Sequence, residues 1–168
     1  KAVTLSGGFF MNSVFNGKLL DRTPFEELYV SYAPADVGNS IGAALYLAHV
    51  IERQPRCFQH NSSSIGPSYT DEEIELVMQR RGIRYQRLDN AVIDLAERLN
   101  DGGIIALFQG PMEFGERALG NRSIIASPLR ADVKERINAS IKYREAYRPF
   151  APAVLANEAH KFFDVPEG

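Results

Sequence analysis

Apolar residues either alternate with polar residues or recur at helical spacing along most of the chain, which predicts interleaved strands and helices. Residues 1–52 predict strands at Ala2–Leu5 and Glu27–Tyr32, and helices at Asn12–Leu20 and Ile41–Glu52. Strands and helices that alternate in this order favour an α/β arrangement.

A change in composition at residues 53–68 interrupts this pattern. The segment is polar and contains several Pro, Gly and Ser residues, which is typical of a linker. We therefore predict a first domain over 1–52, a linker over 53–68 and a second domain over 69–168.

The second predicted domain opens on Thr70, whose spacing to Glu73 is typical of a helix capping box. Helical spacing of apolar residues then begins at Ile74 and again at Val92, while the continuous apolar run Ile104–Phe108 predicts a buried strand. The remaining predicted elements are strands over Ile83–Leu88, Ser123–Ser127 and Arg148–Leu155, a helix capped by Asp132 with Glu135, and a helix near Asn157–Phe163.

Composition excludes several classes of protein without identifying a function. Hydrophobic residues make up 45% of the 168 residues and charged residues 24%, as in ordinary globular proteins rather than disordered or collagen-like chains. The net charge of −2 provides no global attraction to nucleic acid or anionic lipid. No apolar run approaches the ~18 residues of a membrane span. Cys57 is the only cysteine, so we expect a reducing, cytoplasmic compartment.

The segment Gln109–Ser123 is the densest candidate for chemistry. It follows the predicted buried strand, contains three glycines and brings Arg117 and Arg122 close together in sequence. Residues 113–148 hold eight Lys or Arg and five Asp or Glu, so they carry a charge of +3 within an acidic chain. Guanidinium groups match phosphate oxygens in bidentate geometry, which favours a pocket for a phosphate ester. The alternative is that the arginines are solvated or paired with the neighbouring carboxylates, Glu113, Glu116 and Glu145.

Two further positions carry weaker signals. The turn Ser6–Gly8 could cradle a phosphate with its backbone amides or serve as a plain tight turn. Asp36 could cap the helix that follows it or bind a metal, and capping is the commoner role by spacing alone. No His or Cys pair has metal-ligand spacing, and no phosphate-binding P-loop pattern is present.

Motifs along nearly the whole chain nevertheless occur in a recognisable order. They are Leu5–Gly8 with Asn12 and Asn16–Leu19, Asp36-x-Gly38 with Gly42–Ala44, Glu113–Gly115 with Arg117–Ser123, and Arg148–Pro152. Together they resemble the antibiotic and nodulation O-carbamoyltransferases, and the blocks Met112–Ser123 and Arg148–Pro152 are the most specific of them.

The resemblance implies the end of an actin-like ATPase domain followed by most of a domain like threonylcarbamoyl-AMP synthase. The smaller domain would make carbamoyl-adenylate from carbamoyl phosphate and ATP. The larger domain would transfer the carbamoyl group to a hydroxyl of a sugar-like acceptor beside a bound iron.

The resemblance also implies roles for individual residues. Arg117, Arg122 and Arg148 match the arginines of the small domain, and we expect them to hold the phosphate and carbamoyl groups. Asp36 matches a metal-binding aspartate, which reverses the preference for a simple cap. The expected nucleotide or substrate contacts are Gly7, Gly8, Asn12, Gly38, Gly115, Gly120, Asn121 and Ser123.

The chain departs from the family pattern because it lacks the paired histidines that hold the metal early in the large domain. It also begins at Lys1 inside a strand-like run, so we expect a fragment that neither transfers carbamoyl groups nor binds iron by itself.

Two other functions stay open at this point. An RNA-binding module would use the Arg117–Arg148 surface, although the acidic net charge and the lack of interleaved aromatic residues argue against it. A sugar-kinase-like ATPase would transfer phosphate instead of carbamoyl, although no Walker-type lysine is present. The acceptor substrate and the oligomeric state are not indicated by the sequence.

Overall fold

The computed structural model describes residues 1–57 and 62–164. Parts of the predicted linker (58–61) and of the predicted second domain (165–168) lie outside the described residues. The chain forms two compact units, one made of Lys1–Asp89 with Ala106–Ile125 and the other of Asn90–Ile105 with Ala126–Gly168. The predicted boundaries at 52 and 69 stay a prediction.

Helices and short strands together form a mixed architecture, which confirms the predicted α/β class. The strands are β1 (Ala2–Leu5), β2 (Glu27–Val30), β3 (Ile104–Phe108) and β4 (Arg122–Ala126). The α-helices are α1 (Ser13–Asn16), α2 (Leu19–Arg22), α3 (Asn39–Tyr46), α4 (Asp71–Arg80), α5 (Ala91–Asn100) and α6 (Val133–Ile137). Among the described residues, no helix is long and apolar enough to cross a membrane.

Strands β1 and β2 pair in parallel, with Ala2 opposite Glu27 and Leu5 opposite Val30. A parallel pair needs a crossover connection, and α1 and α2 lie within it. The sequence predicted one helix over Asn12–Leu20, but two short helices form instead. They separate at Gly17, a residue that loses more backbone entropy in a helix than alanine does.

Helix α4 begins as the sequence predicted. The Thr70 hydroxyl accepts a hydrogen bond from the Glu73 amide at 3.2 Å, and the Thr70 amide donates to the Glu73 carboxylate at 2.8 Å. This capping box satisfies amides that have no partner inside the helix. The helix ends at Arg80, and Gly82 follows in the left-handed region at φ 65°.

Three predicted local features were wrong. Ile83–Leu88 is not a strand, because Tyr85 and Arg87 donate hydrogen bonds back to Glu75 of α4, at 2.5 and 2.7 Å. Arg148–Leu155 is not a strand either, and its two prolines lack the amides that a ladder requires. Asp132 does not cap α6; its carboxylate accepts two hydrogen bonds from the Arg130 guanidinium, both at 3.0 Å.

The remaining predicted helices change in form or length. The predicted Ile41–Glu52 helix is α3 followed by a π-helical turn at Leu47–Ile51. The predicted Asn157–Phe163 helix is a 3-10 turn over Ala156–Lys161. Helix α5 matches its prediction and is capped by Asn90, whose side chain accepts from the Ile93 amide at 3.2 Å.

Strands β3 and β4 form a two-stranded sheet. The apolar run at β3 predicted a buried strand, but β3 is only partly buried and Phe108 is 53% exposed. Beyond the strands, the Gln109 amide donates to the Asn121 carbonyl at 3.0 Å. The two ends of the arginine- and glycine-rich segment are therefore held together.

Candidate functional site

The segment Gln109–Ser123, here called the arginine loop, is framed on one side by residues 63–67. The Gly66 amide donates to the Met112 carbonyl at 2.8 Å, and the Met112 amide donates to the Pro67 carbonyl at 3.0 Å. An antiparallel bridge joins Ser64 and Glu113. Part of the segment predicted as a linker thus builds the wall of the arginine loop.

Inside the arginine loop, the Glu113 carboxylate binds backbone amides rather than arginines. Its Oε1 atom accepts hydrogen bonds from the amides of Leu119 and Asn121, both at 2.7 Å, and from that of Arg122 at 3.4 Å. Burial raises the pKa of Glu113, but the hydrogen bonds from the Asn121, Leu119 and Arg122 amides outweigh it and lower the pKa to about 2. The carboxylate is therefore ionised at neutral pH.

Two glycines shape the arginine loop in different ways. Gly115 has φ 118°, and a Cβ atom there would lie 2.6 Å from the Tyr32 carbonyl oxygen, so no larger residue fits. Gly120 has φ 119° and faces open space, and its amide donates to the Ser123 hydroxyl at 2.9 Å. A ligand could approach the backbone at Gly120, whereas Gly115 is required for packing.

Arg122 is held in place by its surroundings. Its Nη1 atom donates to the carbonyls of Gln109 at 2.7 Å, Asn121 at 3.1 Å and Gly110 at 3.2 Å, and its Nη2 atom donates to the Pro67 carbonyl at 3.4 Å. The guanidinium carbon lies 3.6 Å from the centroid of the Phe108 ring, which is cation–π geometry. Much of its donor capacity is already used within the protein.

Asn121 is used for the structure of the arginine loop as well. Its side-chain Nδ2 atom donates to the Pro111 carbonyl at 2.6 Å and to the Ser64 hydroxyl at 3.0 Å. These two contacts hold the loop to its wall, and they occupy the amide group that the sequence had suggested for ligand binding.

Arg117 brings the arginine loop to the glycine turn that follows β1. Its Nη2 atom donates to the Met11 carbonyl at 2.9 Å. Arg117 and Met11 also line a small cavity of about 190 Å³, whose wall includes Phe10, Tyr32 and Leu119. Residues that the sequence predicted to lie in different domains therefore meet within one compact unit.

The turn after β1 contains the other predicted nucleotide contacts. Gly7 has φ 111°, donates its amide to the Pro34 carbonyl at 2.6 Å and has open space beside its Cα atom. Gly8 begins a 3-10 turn. The side-chain oxygen of Asn12 accepts from the Phe15 amide at 3.1 Å, so Asn12 caps α1.

Asp36 opens a 3-10 turn that ends at Gly38. Its side chain is exposed, and the N-cap of α3 is Gly38 rather than Asp36, which disagrees with the capping interpretation. Gly38 is required there, since a Cβ atom would lie 2.1 Å from the Ala33 carbonyl oxygen. Within residues 1–57 and 62–164, no three His, Cys, Asp or Glu side chains are grouped so that they could hold a metal.

Arg148 belongs to the second compact unit. Its Nε atom forms an ion pair with Glu145 at 3.1 Å, as the alternative interpretation of the arginines predicted. Tyr143 and Arg144 join these two residues around a shallow depression of about 450 Å³. The depression is lined by a carboxylate as well as by arginines, so its electrostatic potential is less positive than that of the arginines alone.

Asn138 organises this second site, and sequence reasoning missed it. It is 1% exposed; its Oδ1 atom accepts from Arg144 at 2.7 Å and its Nδ2 atom donates to the Arg148 carbonyl at 3.3 Å. Arg144 also lies 4.6 Å from the centroid of the Phe150 ring. The available sequence signal was an asparagine close to several arginines, but no characteristic spacing distinguishes such an asparagine from others. The role of Glu113 was missed for the same reason, since its partners are backbone amides.

Comparison with known families gives matches at both ends of the chain. Residues 1–45 match the family model described as Carbamoyltransferase N-terminus, and residues 96–168 match the one described as Carbamoyltransferase C-terminus. The second match contains the whole arginine loop and all of the Arg148 site.

Individual relatives agree with the family match. Nodulation protein NolNO of Sinorhizobium fredii is 40% identical over 170 residues, which is 99% of this chain and 25% of that protein. Nodulation protein NolO of Bradyrhizobium diazoefficiens is 40% identical over 167 residues, covering 98% of this chain and 30% of that protein.

A third relative is named for its chemistry. The 3'-hydroxymethylcephem-O-carbamoyltransferase of Amycolatopsis lactamdurans is 30% identical over 159 residues, covering 95% of this chain and 29% of that protein. The chain thus spans between 25% and 30% of the length of these three relatives. With both family models matched in order and relatives aligned along nearly its whole length, this chain belongs to the carbamoyltransferase family.

Proposed function

We propose that this chain is part of an ATP-dependent O-carbamoyltransferase that forms carbamoyl-adenylate and passes the carbamoyl group to a hydroxyl acceptor. Family membership supports the transferred group, and the name of the Amycolatopsis relative supports an oxygen acceptor. The observation that carries the proposal is the hydrogen bond from Arg117 to Met11. It joins the arginine loop to the end of the 3-10 turn Gly8–Met11, and the resemblance assigns the nucleotide to the start of that turn.

The proposed reaction consumes carbamoyl phosphate, ATP and water and gives carbamoyl-adenylate, phosphate and pyrophosphate. Water first releases carbamate and phosphate from carbamoyl phosphate. A carbamate oxygen then bonds to the α-phosphorus of ATP as pyrophosphate leaves. The acceptor hydroxyl finally attacks the carbamoyl carbon and loses its proton, and AMP departs.

Cations at fixed positions are what this chemistry requires, because both phosphate compounds are anionic and repel each other. Preorganised guanidinium groups stabilise the charge that develops on phosphate oxygens without having to reorganise. Arg117 suits this role best, since only one of its five N–H groups donates to a protein acceptor within the described residues.

Arg122 has fewer donors to offer than Arg117, and Arg148 has an opposite charge beside it. Arg122 retains its Nε group, because Nη1 and Nη2 already donate to backbone carbonyls. Arg148 retains its two Nη groups beside the Glu145 ion pair. We propose that both still contact an anion. Arg122 acts mainly through the positive charge of its guanidinium, which is held over the Phe108 ring.

Backbone approach at glycines supports the nucleotide assignment. Gly7 and Gly120 both have positive φ and open space beside the Cα atom, so a phosphate could come close to the backbone at either position. The amides of both glycines already donate within the protein, to the Pro34 carbonyl and the Ser123 hydroxyl, so this approach is steric. The other residues proposed to line the path of nucleotide or substrate are Gly8, Asn12, Gly38, Gly115, Asn121 and Ser123.

The resemblance also implies iron, and the described residues do not fit an iron site by themselves. Asp36 is a single exposed carboxylate without His, Cys, Asp or Glu partners grouped around it in the described parts of the chain. One carboxylate supplies too few ligands for a transition metal. No step of the proposal is assigned to iron in this chain.

The test is to follow both labelled substrates with the full-length natural protein. Carbon-labelled carbamoyl phosphate and ATP should give AMP, pyrophosphate and a labelled acceptor when a sugar-like alcohol is present. Formation of ADP with transfer of the γ-phosphate would favour the sugar-kinase-like alternative instead. Salt-sensitive retention of RNA on a filter, without nucleotide turnover, would favour the RNA-binding alternative.

A further inference from the structure

Glu113 is a buried carboxylate to which the proposed reaction assigns no part. It is 8% exposed, and a single oxygen, Oε1, accepts all three amide hydrogen bonds that the carboxylate receives from Leu119, Asn121 and Arg122. Hydrogen bonds to an ionised acceptor are stronger than those between neutral groups. An ionised carboxylate that is buried and accepts hydrogen bonds from three backbone amides fixes the conformation of that backbone segment.

The three amides surround the turn at Gly120. This turn has φ 119° at its glycine, and the Ser123 hydroxyl accepts the Gly120 amide at 2.9 Å. Successive amides that converge on one point form a concave anion site. Here the protein supplies the anion itself, so the turn is preorganised before any substrate arrives.

The same contacts determine where two arginines lie. The bond from the Leu119 amide to Glu113 closes the short loop that carries Arg117. The bond from the Arg122 amide holds the backbone from which the Arg122 guanidinium reaches Phe108 and the Gln109 carbonyl. Without Glu113, the backbone positions of Arg117 and Arg122 are no longer fixed, and the guanidinium groups are less well placed.

We propose that Glu113 is the positioning residue of the arginine loop, holding Arg117 and Arg122 in the arrangement that binds the anionic substrates. This inference rests on the proposed function for its substrates, but the anchoring itself can be tested separately. Support comes from the lowered pKa of Glu113, because the amide hydrogen bonds favour the ionised form over the desolvation that opposes it.

The first arm of the test measures the anchor in the full-length natural protein. Amide hydrogen exchange at Leu119 and Asn121 should accelerate by roughly tenfold or more in Glu113→Leu, which removes the acceptor. Glu113→Gln keeps an oxygen acceptor without the charge, so it should give an intermediate effect and serves where the leucine variant fails to fold. Glu116→Leu is the matched control, since Glu116 is an exposed carboxylate in the same loop.

The second arm measures turnover in the full-length natural protein. Glu113→Gln should raise KM for carbamoyl phosphate by about tenfold, because the arginines that bind it are less well positioned. A merely structural role would reduce the amount of active protein, and hence the apparent kcat, without changing KM. Glu116→Gln should leave both constants unchanged.

The two arms separate the possible failures. Unchanged exchange at Leu119 and Asn121 in both Glu113 variants would overturn the anchoring role, whatever the enzyme does. Accelerated exchange with an unchanged KM would overturn the link between the anchor and substrate binding. If the natural protein does not consume carbamoyl phosphate at all, the proposed function fails, and the substrate part of this inference fails with it, while the exchange arm still decides whether Glu113 anchors the loop.

Discussion

Replacing Arg122 by alanine would remove the group that joins the two ends of the arginine loop to Phe108. The guanidinium donates to four carbonyls, the shortest contact being 2.7 Å to Gln109, and it stacks 3.6 Å from the centre of the Phe108 ring. The variant leaves these carbonyls to be satisfied by water and uncovers the ring. We predict that the loop opens more readily.

The magnitude follows from the contacts. Three carbonyls share the two hydrogens of Nη1 and the Nη2 contact is 3.4 Å long, so the four contacts count as about one full hydrogen bond. A hydrogen bond from a charged donor contributes about 1.5–3 kcal/mol, and an exposed cation–π contact adds about 0.5–1 kcal/mol. Arg122→Ala should therefore lower the free energy of loop opening by about 2–4 kcal/mol. Arg122→Lys keeps the charge but loses the planar fork, and should lose about half as much.

Amide hydrogen exchange at Gln109 reports this opening, since its amide is bonded to Asn121 across the loop. Protection should fall by about 30-fold or more in Arg122→Ala. Arg87→Ala is the matched control. Arg87 forms an exposed ion pair with Glu75, so its loss should leave Gln109 protection unchanged.

Equal exchange rates at Gln109 in the parent chain and Arg122→Ala would refute this reasoning. The carbonyl contacts would then contribute nothing to loop closure, and Arg122 would be available for substrate with all of its donors. An equally large effect in Arg87→Ala would show instead that the chain responds to any loss of positive charge.

Three further predictions concern stability. The folded-state pKa of Glu113 lies below its unfolded value, so its ionised carboxylate stabilises the fold above about pH 4.5. As the pH falls from about 4.5 through about 2, the parent chain should lose up to about 3 kcal/mol more unfolding free energy than Glu113→Gln, measured by urea unfolding. Parallel pH profiles for the two chains would contradict this. Gly38→Ala should destabilise the chain, since the new Cβ atom would lie 2.1 Å from the Ala33 carbonyl oxygen. Gly42→Ala in α3 places its Cβ atom more than 4 Å from any group outside the neighbouring residues of the helix and should stabilise the chain by about 0.5–1 kcal/mol. Thermal melting temperatures that shift in the same direction for both variants would contradict the packing argument. Thr70→Ala should cost about 1 kcal/mol and reduce the helical circular dichroism signal, and an unchanged melt would show that the capping box contributes little.

Local features were predictable because their causes lie within a few residues. The capping box at Thr70 and the end of α4 near Gly82 depend on short spacings, and both formed as predicted. Asp132 had the same spacing to Glu135, yet its carboxylate binds Arg130 instead of capping the helix. The capping pattern takes no account of a nearby arginine that competes for the carboxylate. The Ile83–Leu88 alternation failed because a strand needs a partner, and here the side chains bind α4 instead.

Nonlocal contacts explain why the candidate site was only partly predictable. Sequence indicated the residues of the arginine loop, since glycines and arginines are dense there. It did not indicate that residues 63–67 form the wall of the loop or that Glu113 binds amides instead of a guanidinium. Backbone acceptors and donors carry no residue-type signal, so the contacts of Arg117 with Met11 and of Arg122 with Gln109 could not be derived from the pattern.

We propose that carbamoyl phosphate and ATP react at the arginine loop. This proposal is tested most directly by pyrophosphate release that depends on carbamoyl phosphate, measured in the full-length natural protein and in its Arg117→Ala and Arg87→Ala variants. We expect release by the parent protein and by Arg87→Ala, and a loss of about 100-fold or more in Arg117→Ala, whose guanidinium would no longer stabilise the developing charge. Undiminished release by Arg117→Ala, or no release from the parent protein, would contradict it.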